Sequence, residues 1–390
     1  MKKDSQIVHA GRHPERHFGA VNPPVYHAST ILHPSVAAMQ SSGKKPFEGV
    51  RYGRFGTPTT HAFEEAMAVV EGGHKTVATS SGLAAITGAL LAYLKAGDHL
   101  LMVDTTYYPT RHFCDGVLAG LGIETTYYDP LIGAGIAALM RPNTRVVFTE
   151  SPGSLTFEVQ DIPAIAAIAH QHGAVVMMDN TWGVLSFQPF LHGVDVSIQA
   201  CTKYVVGHAD AMLGAITLPD AESWLKVKSS VAAFGHSPGS EELYLGLRGL
   251  RTLAVRLKRH GETALSVCRW LQTRPEVESV LYPALDDDPS HALWARDFTG
   301  ACGLFGVILT PGYSIAAVEA MLDGYGHFGL GFSWGGFESL VIPTYGHSIT
   351  RTASAWNNQA LSLRYHVGLE DGEDLIADLS AGFDRLNARA

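Results

Sequence analysis

Apolar residues in this chain gather in short unbroken runs instead of alternating with polar ones. The runs His99-Leu-Leu-Met-Val-Asp104, Arg145-Val-Val-Phe-Thr-Glu150, Ala174-Val-Val-Met-Met-Asp179 and Val194-Asp-Val-Ser-Ile-Gln199 predict strands covered on both faces. Between them, Leu83 to Lys95 and Asp161 to His172 have helical character. The second opens on Asp161-Ile-Pro163 and is closed by Gly173. Strand and helix in alternation predict an α/β fold built on a mostly parallel sheet.

The texture changes near Glu241. Glu241 to Thr273 holds few breakers and predicts one long helix, followed by strands over Val277 to Tyr282, Gly303 to Thr310 and Ser362 to Gly368. A closing segment from Glu373 carries apolar residues at helical spacing and is expected to dock on these strands. The first 55 residues are rich in Gly, Pro, His and Ser and hold no sustained period, so they read as an arm that wraps its own domain or reaches a neighbour. The organisation expected is therefore an arm over 1–55, a large α/β domain over 56–240, and an interdomain helix with a smaller α+β domain over 241–390.

Size and composition narrow the function classes. At 390 residues, 46% hydrophobic and 17% charged, the chain has the profile of a compact globular protein. Its net charge of −9, with Lys and Arg dispersed, argues against a nucleic-acid partner. The longest nearly uncharged apolar stretch, Gly82 to Leu94, falls short of the ~20 residues that span a bilayer, so no membrane span is expected. The start lacks the apolar region of a secretory signal, and a cytoplasmic location is expected. Cys114, Cys201, Cys268 and Cys302 are widely spaced and read as reduced, mostly buried thiols; no His or Cys spacing calls for a metal.

Ligands of a parallel sheet bind beyond the carboxyl ends of its strands, and two predicted strands end in polar residues there, at Asp179-Asn-Thr-Trp182 and Thr202-Lys203-Tyr204. A carboxylate opposite a pyridine nitrogen keeps it protonated, and a lysine amine forms an imine with a cofactor aldehyde. Asp179 and Lys203 suit those roles. Taken singly, the Asp is as well explained as a cap and the Lys as a solvated side chain; only their arrangement favours chemistry. Thr79-Ser80-Ser81-Gly82-Leu83 leads into a helix whose free N–H groups can hold a phosphate. Neither a Gly-x-Gly-x-x-Gly fingerprint nor a Walker loop is present.

These strings together resemble the cystathionine β-lyase branch of the Cys/Met-metabolism enzymes that use pyridoxal 5'-phosphate. The resemblance runs nearly end to end and rests on Tyr52-Gly-Arg54, Asp129-Pro-Leu-Ile-Gly-Ala, Glu150-Ser-Pro-Gly-Ser, Asp179-Asn-Thr-Trp182, Asp195-Val-Ser-Ile-Gln-Ala-Cys-Thr-Lys-Tyr204, Gly207-His-Ala-Asp-Ala-Met212, Ser333-Trp-Gly-Gly-Phe-Glu-Ser and Gly368-Leu-Glu-Asp. It implies a fold-type-I homotetramer. It implies that Lys203 carries the cofactor and shuttles the proton, that Asp179 pairs with the ring nitrogen, and that Tyr107 stacks on the ring. Ser81, Gly82, Leu83 and Thr202 would hold the phosphate, with Tyr52 and Arg54 reaching it from a neighbouring subunit. Arg364 would clamp the substrate carboxylate, assisted by Ser333 and Trp334.

The same resemblance implies cleavage of cystathionine or a related cysteine S-conjugate to a thiol, pyruvate and ammonia, as in methionine biosynthesis. Two departures bear on the substrate. Phe55 stands where the bacterial pattern has a second arginine that binds the far end of cystathionine, and Phe332 replaces a tyrosine. The outer pocket is expected to be apolar, and losing one charge-assisted contact would weaken cystathionine use by roughly 1.5–3 kcal/mol. The alternatives are γ-lyase or γ-synthase chemistry on the same frame, or a non-catalytic protein that keeps the fold.

Overall fold

A computed structural model describes residues 1–45, 47–345, 349–357 and 359–389, and in it the apolar runs build two sheets. The first contains β1 (Lys75–Thr79), β2 (His99–Val103), β3 (Glu124–Tyr128), β4 (Thr144–Glu150), β5 (Val175–Asp179), β6 (Val196–Gln199) and β7 (Gly214–Leu218), in the order β1-β7-β6-β5-β4-β2-β3. Strands β2 to β6 are parallel, and β7 runs antiparallel to both β6 and β1. The sheet is therefore mostly parallel, as expected. Strand β2 explains its unbroken apolarity: Leu101 and Val103 enter one core while Leu100 and Met102 enter the other. Each such side chain contributes about 1.5–3 kcal/mol on leaving water.

Helices cross between the strands where capping residues start them. Ser81 Oγ accepts the Ala84 amide at 3.1 Å and opens the helix Gly82–Tyr93. Asp161 Oδ1 accepts the Ala164 amide and opens Ile162–Gln171, which Gly173 leaves with φ +69°.

The single long helix expected over 241–273 is instead two, Ser240–Leu250 and Leu253–Leu271. No Pro stands at the break; tertiary partners make it. A Cβ on Gly249 would lie 2.1 Å from the Val205 carbonyl, so the chain packs there against backbone. The Gly249 carbonyl accepts Arg256 Nη2 at 2.9 Å, and Arg251 Nη1 turns toward the arm to reach the carbonyls of Ile7 and Ala10 at 2.9 and 2.7 Å.

The second sheet holds β8 (Val277–Leu281), β9 (Leu304–Leu309), β10 (Gly329–Leu330), β11 (Leu340–Pro343) and β12 (Ser362–His366), ordered β10-β11-β12-β9-β8. All its pairs are antiparallel except β10 with β11. The last helix, Gly372–Asn387, buries Leu375, Leu379, Phe383 and Leu386, the stripe its spacing predicts.

The arm divides in two. Its first helix, Lys3–His9, buries Ile7 against the body, whereas Phe18, Leu32, Val36 and Met39 stay exposed. All four cysteines are free and buried. Among the described residues no helix is long and apolar enough to cross a membrane.

Candidate active site

Parallel pairing brings the carboxyl ends of β4, β5 and β6 to one edge, where a cavity of about 750 Å³ opens between the two sheets. Lys203 and Asp179 both line it. Lys203 sits in the turn after β6 and donates from Nζ to Ser333 Oγ at 2.6 Å, with the Trp334 ring 5.4 Å away. Burial, and then the charge of Arg364, bring its ammonium down to about 8, so a neutral amine is within reach near physiological pH. Asp179 ends β5 and accepts two bonds from Thr181, the amide at 3.0 Å and the hydroxyl at 2.5 Å. Burial raises its carboxyl above the usual range, while the Thr181 donors and the Lys203 charge pull the other way.

The phosphate seat expected at 81–83 lies on the same wall. Ser81, Gly82 and Leu83 line the cavity, and the first-turn amides of Gly82–Tyr93 lack helical partners. A Cβ on Gly82 would stand 2.5 Å from the Ala200 side chain, so only glycine lets the helix start come this near the Lys203 turn. Thr202 is differently engaged. Its hydroxyl accepts the Leu213 amide at 2.9 Å and lies 3.2 Å from the Leu213 carbonyl, which ties the turn to the start of β7.

Arg364, on β12, brings a cation from the second sheet. Its Nη2 donates to the Ser333 carbonyl at 2.9 Å, its Nε is buried with no partner, and no carboxylate lies within ion-pairing distance among the described residues. Burial lowers its guanidinium to about 10, which leaves it charged at neutral pH. A buried cation with an open donor suits an incoming carboxylate. Ser333 holds φ +77° and contacts both Lys203 and Arg364, and the loop also places Trp334 in the cavity. Tyr107 also lines the cavity, its amide donating to Glu150 Oε2 at 2.7 Å. The unpartnered Arg364 Nε, the close Gly82 seat and the Lys203–Asp179 juxtaposition fit the cofactor that the resemblance implies.

Three expected residues lie elsewhere in this chain. Tyr52, Arg54 and Phe55 form a separate cluster: Arg54 Cζ lies 4.3 Å from the Phe55 ring centre and Nη1 donates to the Ala232 carbonyl at 2.6 Å, while Tyr52 meets Phe55 edge-on. None of them lines the Lys203 cavity. Phe332 does, and it is exposed at the rim together with Met212, so the outer wall is apolar.

Two residues of the cavity have no role in the sequence reading, although one of them, Glu150, heads a string that carries the resemblance. Glu150 also lines it at a strand end, and the rule that finds Asp179 applies to it equally. Thr350 comes from a loop that Asp104 pins by accepting the backbone amides of Thr352, Ala353 and Ser354, a long-range contact with no local signal.

Comparison with known proteins gives the chain's relatives. Residues 4–384 match the model of a family described as Cys/Met metabolism PLP-dependent enzyme. The chain is 42% identical over 392 residues to the cystathionine beta-lyase MetC of Escherichia coli K12, covering 99% of each. It is 40% identical over 397 residues to a protein of Wolbachia pipientis wMel named L-alanine/L-glutamate racemase, covering 99% of this chain and 98% of the other. A crystal structure of metB from Corynebacterium glutamicum superposes with a TM-score of 0.91 at 28% identity, covering 99% and 98% of the two chains.

Proposed function

Because the chain belongs to the Cys/Met metabolism PLP-dependent enzymes, we propose that it is a carbon–sulfur β-lyase that cleaves cystathionine or related cysteine S-conjugates to a thiol, pyruvate and ammonia. The convergence of Lys203, Asp179 and Arg364 on one cavity carries this reading. Pyridoxal phosphate, when bound, supplies an electron-accepting ring conjugated to the substrate amine.

Lys203 holds the cofactor and then acts as the base at the substrate Cα, a role that its lowered pKa of about 8 favours. Asp179 pairs with the ring nitrogen, and a proton there would draw the buried carboxyl back to its ionised form. Arg364 takes the substrate carboxylate on its open Nε side, with Ser333 setting the distance between that carboxylate and Lys203. Tyr107 covers the ring. Thr202 braces the turn that carries Lys203 while the helix start at Ser81–Leu83 receives the phosphate.

Tyr52 and Arg54 complete the phosphate site of a neighbouring subunit in a homotetramer. Their distance from the cavity of their own chain and the exposed apolar residues of the arm support this. The apolar rim at Phe332 and Met212 favours conjugates with small uncharged sulfur substituents. If Phe55→Arg leaves the ratio of kcat/KM for cystathionine over S-methylcysteine unchanged, the role given to Phe55 is wrong.

The test of the reaction is product analysis with cystathionine, cystine and S-methylcysteine. Pyruvate release supports β-elimination, and 2-oxobutyrate would assign γ-elimination. The racemase-named relative shares the step at Cα, so interconversion of L- and D-alanine without pyruvate from any conjugate would overturn the lyase reading.

A further inference from the structure

Glu150 is the acidic group of the cavity to which the mechanism gives no task. It ends β4 and stands in register with Asp179 on the neighbouring parallel strand, so both side chains face the same way. Strands in a sheet lie about 4.8 Å apart, so the two side chains leave neighbouring backbone positions, and two ionised carboxylates brought close where burial thins the water repel each other. That repulsion favours a proton on one of them.

The surroundings decide which. Asp179 takes two donors from Thr181 and has the cation Lys203 near it. Glu150 takes the Tyr107 amide at 2.7 Å and the Thr106 hydroxyl at 3.3 Å, both on Oε2. Oε1 is left without a protein donor among the described residues. The charged groups of the cavity are Lys203 on the turn after β6, Arg364 on β12 and Asp179 on β5; Lys203 follows the strand beyond β5, while Tyr107 reaches Glu150 from the segment after β2 and also stands near Arg364.

We infer that Glu150 is a positioning residue that works as a neutral carboxylic acid: Oε2 fixes Tyr107 over the cofactor face, and the proton on Oε1 leaves Asp179 as the one negative charge on the cavity floor. This rests on the reading of Tyr107 as the residue that covers the cofactor. Burial and the charge of Asp179 both push the Glu150 carboxyl upward, in keeping with the assignment. Glutamine reproduces a protonated Glu150, with a carbonyl for the Tyr107 amide and a donor toward the cavity. Alanine reproduces neither.

The experiment compares wild type with Glu150→Gln and Glu150→Ala as full-length protein. It measures the cofactor dissociation constant of the apoenzyme, the pH dependence of the bound cofactor's visible absorption, and kcat and KM separately. The glutamine variant should match wild type within about twofold in all of these. Alanine, which strands the Tyr107 amide, should weaken cofactor binding about tenfold and lower kcat more than it changes KM. A glutamine variant that binds cofactor tenfold more weakly, or whose absorption titrates a full pH unit away, would show an ionised Glu150 and overturn the inference; so would an alanine variant indistinguishable from wild type.

Infrared difference spectra between the apo forms of wild type and Glu150→Gln keep the test open if alanine prevents folding. A protonated carboxyl lost in the glutamine variant supports the assignment, and loss of a carboxylate instead overturns it. Failure of pyruvate release would sink the lyase reading and leave this titration result standing.

Discussion

Lys203 and Arg54 are cations proposed for the same ligand, yet the chain holds them in different ways. Lys203 is tied to Ser333, shares a cavity with Asp179 and Arg364, and has its acidity set by burial. Arg54 is exposed on the arm, with its guanidinium on the Phe55 ring and the Ala232 carbonyl. The cavity floor is organised when one chain folds, and its geometry is paid for at that moment. The arm packs Ile7 on its own body but keeps Phe18, Leu32 and Met39 in water, an apolar surface suited to another partner. On the reading proposed above, chemistry is written into a single subunit and cofactor retention into the contact with a neighbour.

The largest effect expected lies on the floor. Lys203→Ala should abolish the cofactor's visible absorption and lower kcat by about three to four powers of ten, measured by pyruvate release. A variant retaining a tenth of the activity would break the contrast, since the floor would then not need its base. Next, Arg364→Ala should raise KM for amino-acid substrates by about ten- to a hundredfold, with a smaller change in kcat, because it strips a charge-assisted contact from the carboxylate.

The arm is tested by mixing. Arg54→Ala alone should loosen the cofactor about tenfold, read by equilibrium dialysis. Unfolding and refolding it together with Lys203→Ala should return part of the wild-type activity, because a mixed pair contains one site with both residues intact. No recovery above the separate variants would place Arg54 in the service of its own chain.

The smallest effect concerns acidity. In the apoenzyme, the reactivity of Lys203 toward an amine reagent should rise as pH passes through about 8, where the ammonium loses its proton. Arg364→Ala removes a nearby positive charge, so it should move that midpoint upward. A midpoint that stays in place would show that the Arg364 charge has no part in setting it.

Asp179 and Lys203 are legible in the sequence because strand ends of a parallel sheet converge, and polar residues following apolar runs mark those ends. Glu150 ends such a run as well, but its value depends on a register partner across the sheet, which no local pattern states. Strands β1 and β3 give a weaker signal because threonine and charged residues interrupt their apolarity; β3 lies at the sheet edge, where one side needs no cover. The helix break at Arg251 is hidden for a different reason: it follows from contacts with Val205, Ile7 and Ala10, all distant in sequence.

By itself the sequence determined the parallel core, the carboxyl edge where chemistry gathers, and the family frame that names Lys203, Asp179 and Arg364. These follow from hydrophobic periodicity and short motifs, which are local. Only the tertiary structure decided that Arg364 has no acidic partner among the described residues, that Ser333 bridges it to Lys203, that Asp104 pins the loop carrying Thr350, and that Tyr52, Arg54 and Phe55 stand apart from their own cavity. Those are matters of which distant groups meet after folding, and pairing at a distance leaves no trace in the spacing of neighbours.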